Sequence, residues 1–313
     1  MSIPVLSVAQ MREWEAATWR SGQTEAEVIR RVGRVVAENI LRLTSPGDFV
    51  LLLAGRGHNG DDVRAAQEHL LSNRRVELLE INSPGETLPL LEQALLKKPA
   101  LVVDGIFGIG LNRPLDEAWQ KFITRLNEAR CRVLAVDVPS GLNADTGGTF
   151  GAAVEATVTL TVGAPKNGLL TANAWPFVGR LEVTPDVGLL PCPLPSETRW
   201  TLPGDFAAFP PARPAVGHKG RFGHLAIIAG SVGYHGAAVL AALGAQRSGA
   251  GKVSLGTPDG WQPDSGQHPN LMSLAARQRP PDIDVWVVGC GLGQTRESRK
   301  ALQALLEIGR AHV

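Results

Sequence analysis

The chain has 313 residues, 44% hydrophobic and 19% charged, a balance that suits folded globular domains rather than a disordered or fibrous chain. Its formal net charge of +1 gives no electrostatic ground for a nucleic-acid partner or an anionic membrane surface. Three scattered cysteines, Cys131, Cys192 and Cys290, cannot build a disulfide framework and fit a reducing, cytoplasmic setting.

The opening "MSIPVLSVAQMREWE" has no basic stretch followed by an apolar one, so no secretory signal is read there. Residues 8–43 carry a helical pattern, in which Val28, Val32, Val36 and Ile40 recur every fourth position among charged residues. Apolar runs then alternate with helical stretches: "FVLLLAG", "RVELLEI", "ALVVDGIFG" and "CRVLAVDVPSG". Continuous apolar strands of this kind are expected where a parallel sheet is covered on both faces. "DVRAAQEHLLS" supplies the first crossover helix, and "ATVTLTVG" and "GRLEVTPDVG" extend the same sheet. The expected class is α/β, a Rossmann-like three-layer sandwich with a mostly parallel sheet.

Leu190–Gly217 is rich in proline and poor in periodicity, which reads as a linker and places two domains at 1–205 and 206–313. Beyond it "FGHLAIIAGS" starts a new strand, "HGAAVLAALGAQRSGAGKVSLGT" gives a helix and a second strand, and "DVWVVGCGLG" gives a third. Three strands make a thin sheet, so this second unit reads as cut short. Leu225–Ala245 holds 21 residues without an acid, lysine or arginine, nearly enough to span a bilayer. Its polar, glycine-rich centre "GSVGYHG" would leave backbone groups unpaired in lipid, so a strand, a loop and a buried helix are expected instead.

Ligands of open α/β sheets sit beyond the carboxyl ends of the strands. Three loops of the first domain load those ends with polar groups. In "AGRGHNGDD", Gly55, Gly57 and Gly60 fit G-x-G-x-x-G, the dinucleotide fingerprint, and Glu80 falls where a ribose-binding acid is expected. Asp61 and Asp62 oppose that reading: at a helix start they would cap its N–H groups and repel a phosphate. "VVDGIFGIGLNRP" ends a strand on Asp104, a carboxylate that needs either a ligand, a cation or a helix to cap. "AVDVPSGLNADTGG" repeats the device with Asp137 and Ser140. Asn59, Asp104 and Ser140 together offer one carboxylate and neutral oxygens, a set that suits a weakly held monovalent cation better than calcium.

These three loops, in order and spacing, resemble the signature loops of the NAD(P)H-hydrate epimerases. "LSVAQMREWEAAT" looks like that family's opening helix, and "GAPKNGLL" resembles a later segment. After the linker, "HKGRFGHLAIIAGSVGYHGAAVLAALGAQRSGAGKVSLGT" and "VVGCGLG" look like the start of the ADP-dependent NAD(P)H-hydrate dehydratases, which have a ribokinase-like fold. The resemblance implies repair of hydrated NADH or NADPH, NAD(P)HX: the epimerase interconverts the R and S forms, and the dehydratase restores the S form with ADP or ATP. It implies a substrate-binding set of His58, Asn59, Gly60, Asp61, Asp62, Gly108, Ile109, Gly110, Leu111, Asn112, Arg113, Pro114 and Asp137. Asn59, Asp104 and Ser140 match potassium ligands, and Ala237 and Gly291 match early substrate positions of the dehydratase. Asp137 is the leading candidate for proton transfer. Lys166 is expected to pair with a carboxylate or a phosphate, or else to be a solvated loop residue.

The pattern has departures. His58 stands for an asparagine and Asp61 and Val63 for glycines, so crowding of the substrate loop and weakened epimerase activity are expected; Cys290 standing for a proline in the second domain is a milder change. The family's phosphate-binding glycine segment and catalytic aspartate do not occur in these residues, and no dehydratase activity is expected from them alone. Two other readings stay open: a binding protein that kept the cleft without turnover, and an NAD-dependent oxidoreductase with a true Rossmann loop. No Ser-His-Asp arrangement is legible, Trp14, Trp19, Trp119 and Trp286 read as packing residues, and nothing sets the oligomeric state, a homo-oligomer included.

Overall fold

In a computed structural model, which describes residues 2–70, 73–210, 212–276, 278, 280–306 and 311–312, the chain divides into two units, Met1–Asp205 and Phe206–Val313. After a short strand, β1 (Ile3–Pro4), the N-terminal helical pattern proves to be two helices, α1 (Val8–Arg20) and α2 (Glu25–Leu43). The break has a local cause. Gly22 turns the chain at φ +96°, and capping boxes Ser7/Gln10 and Thr24/Glu27 start each helix.

The six apolar runs become β2 (Phe49–Ala54), β3 (Arg75–Glu80), β4 (Leu101–Gly105), β5 (Val133–Val136), β6 (Val158–Val162) and β7 (Arg180–Thr184). They form one parallel sheet in the order β3-β2-β4-β5-β6-β7. Helices α3 (His58–Gln67), α4 (Pro84–Leu96) and α5 (Glu117–Glu128) connect them. The alternation of side chains explains why the strands are apolar throughout. Val50, Leu52 and Ala54 of β2 pack with Val28, Val32, Val36 and Ile40 of α2 on one face. Phe49, Leu51 and Leu53 pack with Leu91 of α4 and Phe122 and Leu126 of α5 on the other.

The chain runs outward from β2 to β3, then returns to β4 on the other side of β2. That reversal opens a crevice between the carboxyl ends of β2 and β4, the position at which such sheets bind ligands. The loops with Gly55–Asp62 and Asp104–Pro114 leave the sheet at this point.

The proline-rich stretch is not a bare linker over its whole length. A short helix, α6 (Trp175–Val178), precedes β7, and β8 (Arg199–Trp200) pairs antiparallel with β1. Leu194, Trp200 and Leu202 pack against Ile3, Leu6, Met11 and Trp14, so burial overrides the breaker composition up to that point.

The second unit is a five-stranded parallel sheet, β11 (Met272–Ser273), β10 (Lys252–Gly256), β9 (His224–Ile228), β12 (Val285–Val288) and β13 (Ala311–His312), in that order. The sequence predicts three of these; the added β11 and β13 have two residues each, too short for any periodicity to register. Helices α7 (His235–Arg247) and α8 (Arg296–Leu306) complete it. Leu225–Ala245 is strand, glycine loop and helix, and among the described residues no helix is long and apolar enough to cross a membrane.

Candidate functional site

A cavity of about 540 Å³ opens at the β2/β4 crevice. Its lining includes His58, Asn59, Asp62, Gly108, Ile109, Gly110, Leu111 and Asp137 from the predicted set. Gly60, Asp61, Asn112, Arg113 and Pro114 do not line it, and neither do Asp104 and Ser140, which lie buried beneath. Ala237 and Gly291 belong to the second unit, where a Cβ on Gly291 would come within 2.8 Å of the Ala237 Cβ.

The glycine loop answers to packing rather than to phosphate. A Cβ on Gly55 would lie 2.1 Å from the Ile106 carbonyl oxygen, and one on Gly60 would lie 2.0 Å from that of Gly55. Both glycines let α3 settle against the ends of β2 and β4. Helix α3 starts at His58 with Gly57 as N-cap and no side-chain cap, so Asp61 and Asp62 sit inside the first turns and do not cap it. Asp61 is drawn aside to Arg64, 2.8 Å away, and Arg64 also holds Glu80 and, at 2.7 Å, the Gly55 carbonyl. Glu80 is thereby engaged by an arginine, against its expected place as a ribose ligand. The expected crowding is likewise absent: the Val63 side chain is buried in the core under α2, not in the cavity.

Asp62, in contrast, is buried and faces the cavity. Burial first, and then the neighbouring carboxylates Asp137, Asp61 and Glu15, hold its proton well above the ordinary carboxylate range. Asp137 ends β5 with φ +65°, a left-handed backbone that only a few non-glycine residues adopt and that strain places at functional sites. Its carboxylate accepts from the ammonium of Lys166, which is 1% exposed and also donates to Thr161 Oγ1 at 3.0 Å and to the Val162 carbonyl at 2.9 Å. The solvated-loop reading of Lys166 is thus overturned, because an ammonium buried this deeply needs all three partners.

Beneath the cavity Asp104 is fully buried and accepts from Ser140 twice, from the backbone N–H at 2.8 Å and from the hydroxyl at 2.6 Å. Burial pushes its pKa up to about 6 against those hydrogen bonds. It does not cap a helix; Asp116 caps α5. The Ser140 hydroxyl accepts from the Phe107 N–H at 2.8 Å, and Asn59 Nδ2 donates to the Phe107 carbonyl at 2.9 Å. These bonds bring Asn59, Asp104 and Ser140 into one chain of contacts across three loops. Asn59 Oδ1 is buried with no partner, an orphaned acceptor that a cation would satisfy. One carboxylate with the neutral oxygens of Asn59 and Ser140 is a donor set whose chemistry suits a hard monovalent cation rather than zinc.

Several lining residues are not singled out individually as site residues by the sequence. Met11, Arg12, Glu15 and Trp19 reach the cavity from α1, Glu25 and Val28 from α2, and Arg56 from the loop. At the mouth His58 stands 3.5 Å from Glu25. The signals for the α1 set are the resemblance of "LSVAQMREWEAAT" to an opening helix and a helical spacing of four, which a core-facing stripe shares.

The second unit also holds a surprise. His224 bridges Ser254 Oγ at 2.8 Å and Asp282 at 3.1 Å, a Ser-His-Asp chain that separations of 30 and 58 residues hid from the sequence. His224 and Ser254 are buried, and Asp282 also accepts from Lys252 at 2.6 Å. A hydroxyl enclosed within the sheet offers a substrate no approach, so this is a structural tie and not a nucleophile.

A doubly wound parallel sheet with a cavity of carboxylates and one buried lysine at its switch point defines an α/β protein built to bind a small molecule. Comparison with known proteins narrows the class. Residues 73–168 match the model of the YjeF-related protein N-terminus, and residues 225–313 match that of the NAD(P)H-hydrate dehydratases. The bifunctional NAD(P)H-hydrate repair enzyme of Coxiella burnetii is 32% identical over 95% of this chain and 67% of its own length. That of Hyperthermus butylicus is 32% identical over 97% of this chain and 62% of its own, so this chain spans about two thirds of both. The NAD(P)H-hydrate epimerase of Limosilactobacillus fermentum is 33% identical over 60% of this chain and 99% of its own length. The chain belongs to the family of NAD(P)H-hydrate repair enzymes.

Proposed function

We propose that the first unit, 1–205, epimerises hydrated NADH or NADPH at the hydroxyl-bearing ring carbon. The observation that carries this reading is the convergence of Asp62, Asp137 and Lys166 on one cavity at the sheet's switch point. Interconversion of the epimers requires the C–O bond to break and to re-form on the other face. The leaving hydroxyl needs a proton, and Asp62 is the group whose surroundings keep one available. With the ring nitrogen's electron pair filling the vacancy, water departs. Water then adds to the opposite face and loses a proton to Asp137, which Lys166 orients. Nothing else is consumed, as an isomerisation demands. His58–Asp62 and Gly108–Pro114 form the substrate loops, of which His58, Asn59, Asp62 and Gly108–Leu111 face the cavity.

Asn59, Asp104 and Ser140 hold potassium in this reading. When bound, the ion would supply a fixed positive charge beside the substrate loops, and it would favour the ionised form of Asp104 and give the orphaned Asn59 Oδ1 a partner. The second unit, 206–313, is the N-terminal part of a nucleotide-dependent dehydratase domain, with Ala237 and Gly291 on its substrate side, and no dehydration is assigned to these residues alone. The oxidoreductase reading loses support where Gly55 and Gly60 are filled by backbone.

Incubation with purified R-NAD(P)HX, followed by chromatographic separation of the epimers, tests the assignment. Appearance of the S form supports it; binding without interconversion would turn the protein into a hydrate-binding module.

A further inference from the structure

Glu15 is a third carboxylate in the cavity, and neither the loops nor the scheme above uses it. It reaches the site from α1, between Met11 and Trp19 at a spacing of four on the face that lines the cavity. That helix is tied to the segment that carries Lys166, the residue that orients Asp137. Leu6 forms a parallel bridge with Lys166, its N–H donates to the Pro165 carbonyl at 2.9 Å, and Asn167 N–H donates back to the Leu6 carbonyl at 3.0 Å. Trp14 Nε1, bonded to the Leu190 carbonyl at 2.8 Å, fixes the rotation of the helix.

Apolar neighbours are what a helix presents inward, so a carboxylate in that stripe needs a reason. Among the described residues the Glu15 carboxylate has no hydrogen-bond or ion-pair partner. Its surroundings raise its proton affinity, through burial first and then Asp137, while Lys166, His58 and Arg12 act the other way. Asp62 feels Glu15 as well. Glu15, Asp62 and Asp137 line one cavity, so the Glu15 carboxylate shares that volume with both groups that exchange protons with the substrate, and the unpartnered Asn59 Oδ1 marks the same cavity as a ligand site.

One passage from R to S leaves Asp62 without its proton and Asp137 with one. The reverse passage restores the start, but net flow in one direction requires that proton to return. We infer that Glu15 carries it from Asp137 back to Asp62, acting through those two carboxylates and not on the substrate. The step moves one proton and breaks no other bond: Asp137 gives it up, Glu15 takes it and Asp62 receives it, each transfer passing through cavity water because Glu15 hydrogen-bonds neither carboxylate directly. This inference rests on the epimerase reading.

The test compares two rates for wild type and Glu15→Gln: interconversion in a single turnover with enzyme in excess, and kcat at saturating R-hydrate. The amide keeps the size of the side chain but cannot relay the proton. The expected result is a kcat lowered about tenfold or more with the single-turnover rate unchanged, and recovery in Glu15→Asp. Circular dichroism checks that each variant is folded. Equal kcat in wild type and Glu15→Gln overturns the inference, as does a parallel fall of both rates. Failure of the wild type to interconvert epimers would instead remove the underlying function.

Discussion

Lys166 and Asp137 form a buried ion pair across 29 residues of chain, and both line the cavity at the β2/β4 switch point described above. The lysine is almost sealed, whereas the aspartate keeps 13% of its side-chain exposure and reaches the cavity. One partner is therefore structural in its burial and the other available to substrate. Lys166→Met tests the division. Removing the ammonium leaves the Asp137 carboxylate without a countercharge, held among the described residues only by the Val162 N–H at 3.3 Å, and such a loss costs about 3 kcal/mol, the low end for a broken buried pair because Asp137 retains some water. Urea unfolding should show a lowered midpoint at constant slope, together with loss of epimer interconversion.

Asp137→Asn separates chemistry from fold. Asparagine tolerates the left-handed backbone at φ +65° and still accepts from Lys166, so the fold should persist. It cannot take a proton. Interconversion should fall by about 10²–10⁴, with far-ultraviolet circular dichroism unchanged. A rate within tenfold of wild type would move the proton transfer to another group.

How much of this was visible beforehand follows from how each feature is encoded. Six strands and their order of appearance were legible, because a parallel sheet covered on both faces imposes continuous apolar runs. The turn at Gly22 was not, because the apolar spacing of α2 continues the apparent phase of α1. Asn59, Asp62, Asp104, Asp137 and Ser140 were legible, since strand-end loops display polar residues that need a reason. Lys166 was legible as one of two readings, and its pairing with a carboxylate is the one that holds, whereas Glu15 was hidden because a helical stripe ordinarily faces core. The Leu6–Lys166 bridge, which spans 160 residues of sequence, helps bring their segments together.

Potassium should stabilise the protein more in mild alkali than in mild acid. The raised pKa of Asp104 means that the fold favours its protonated form. Its contribution is present below the unfolded value of 3.8 and lost as pH rises through about 6, a change on the order of 3 kcal/mol. An ion that binds only the ionised carboxylate recovers that loss above pH 6 and adds nothing below 3.8. Thermal melts in potassium against a large organic cation should therefore diverge at pH 8 and converge toward pH 4. In Asp104→Asn the pH dependence of the potassium effect should vanish. Asp62 titrates with the same sign in wild type and variant and so cancels from the comparison.

The glycine fingerprint makes its own prediction. If Gly55, Gly57 and Gly60 served a pyrophosphate, all three would resist substitution through lost dinucleotide affinity. The packing says otherwise. A Cβ at Gly60 meets backbone at 2.0 Å, so Gly60→Ala must displace α3 from β2 and should destabilise by more than about 2 kcal/mol. A Cβ at Gly57 meets nothing within 4 Å, and its φ of −97° is ordinary for alanine. Gly57→Ala should therefore melt like wild type, within about 0.5 kcal/mol. Calorimetric titration with intact NAD completes the comparison. Tight binding by wild type that Gly57→Val abolishes would restore the phosphate reading of the loop. Unchanged melting of Gly57→Ala beside a disrupted Gly60→Ala assigns the motif to the seam between helix and sheet.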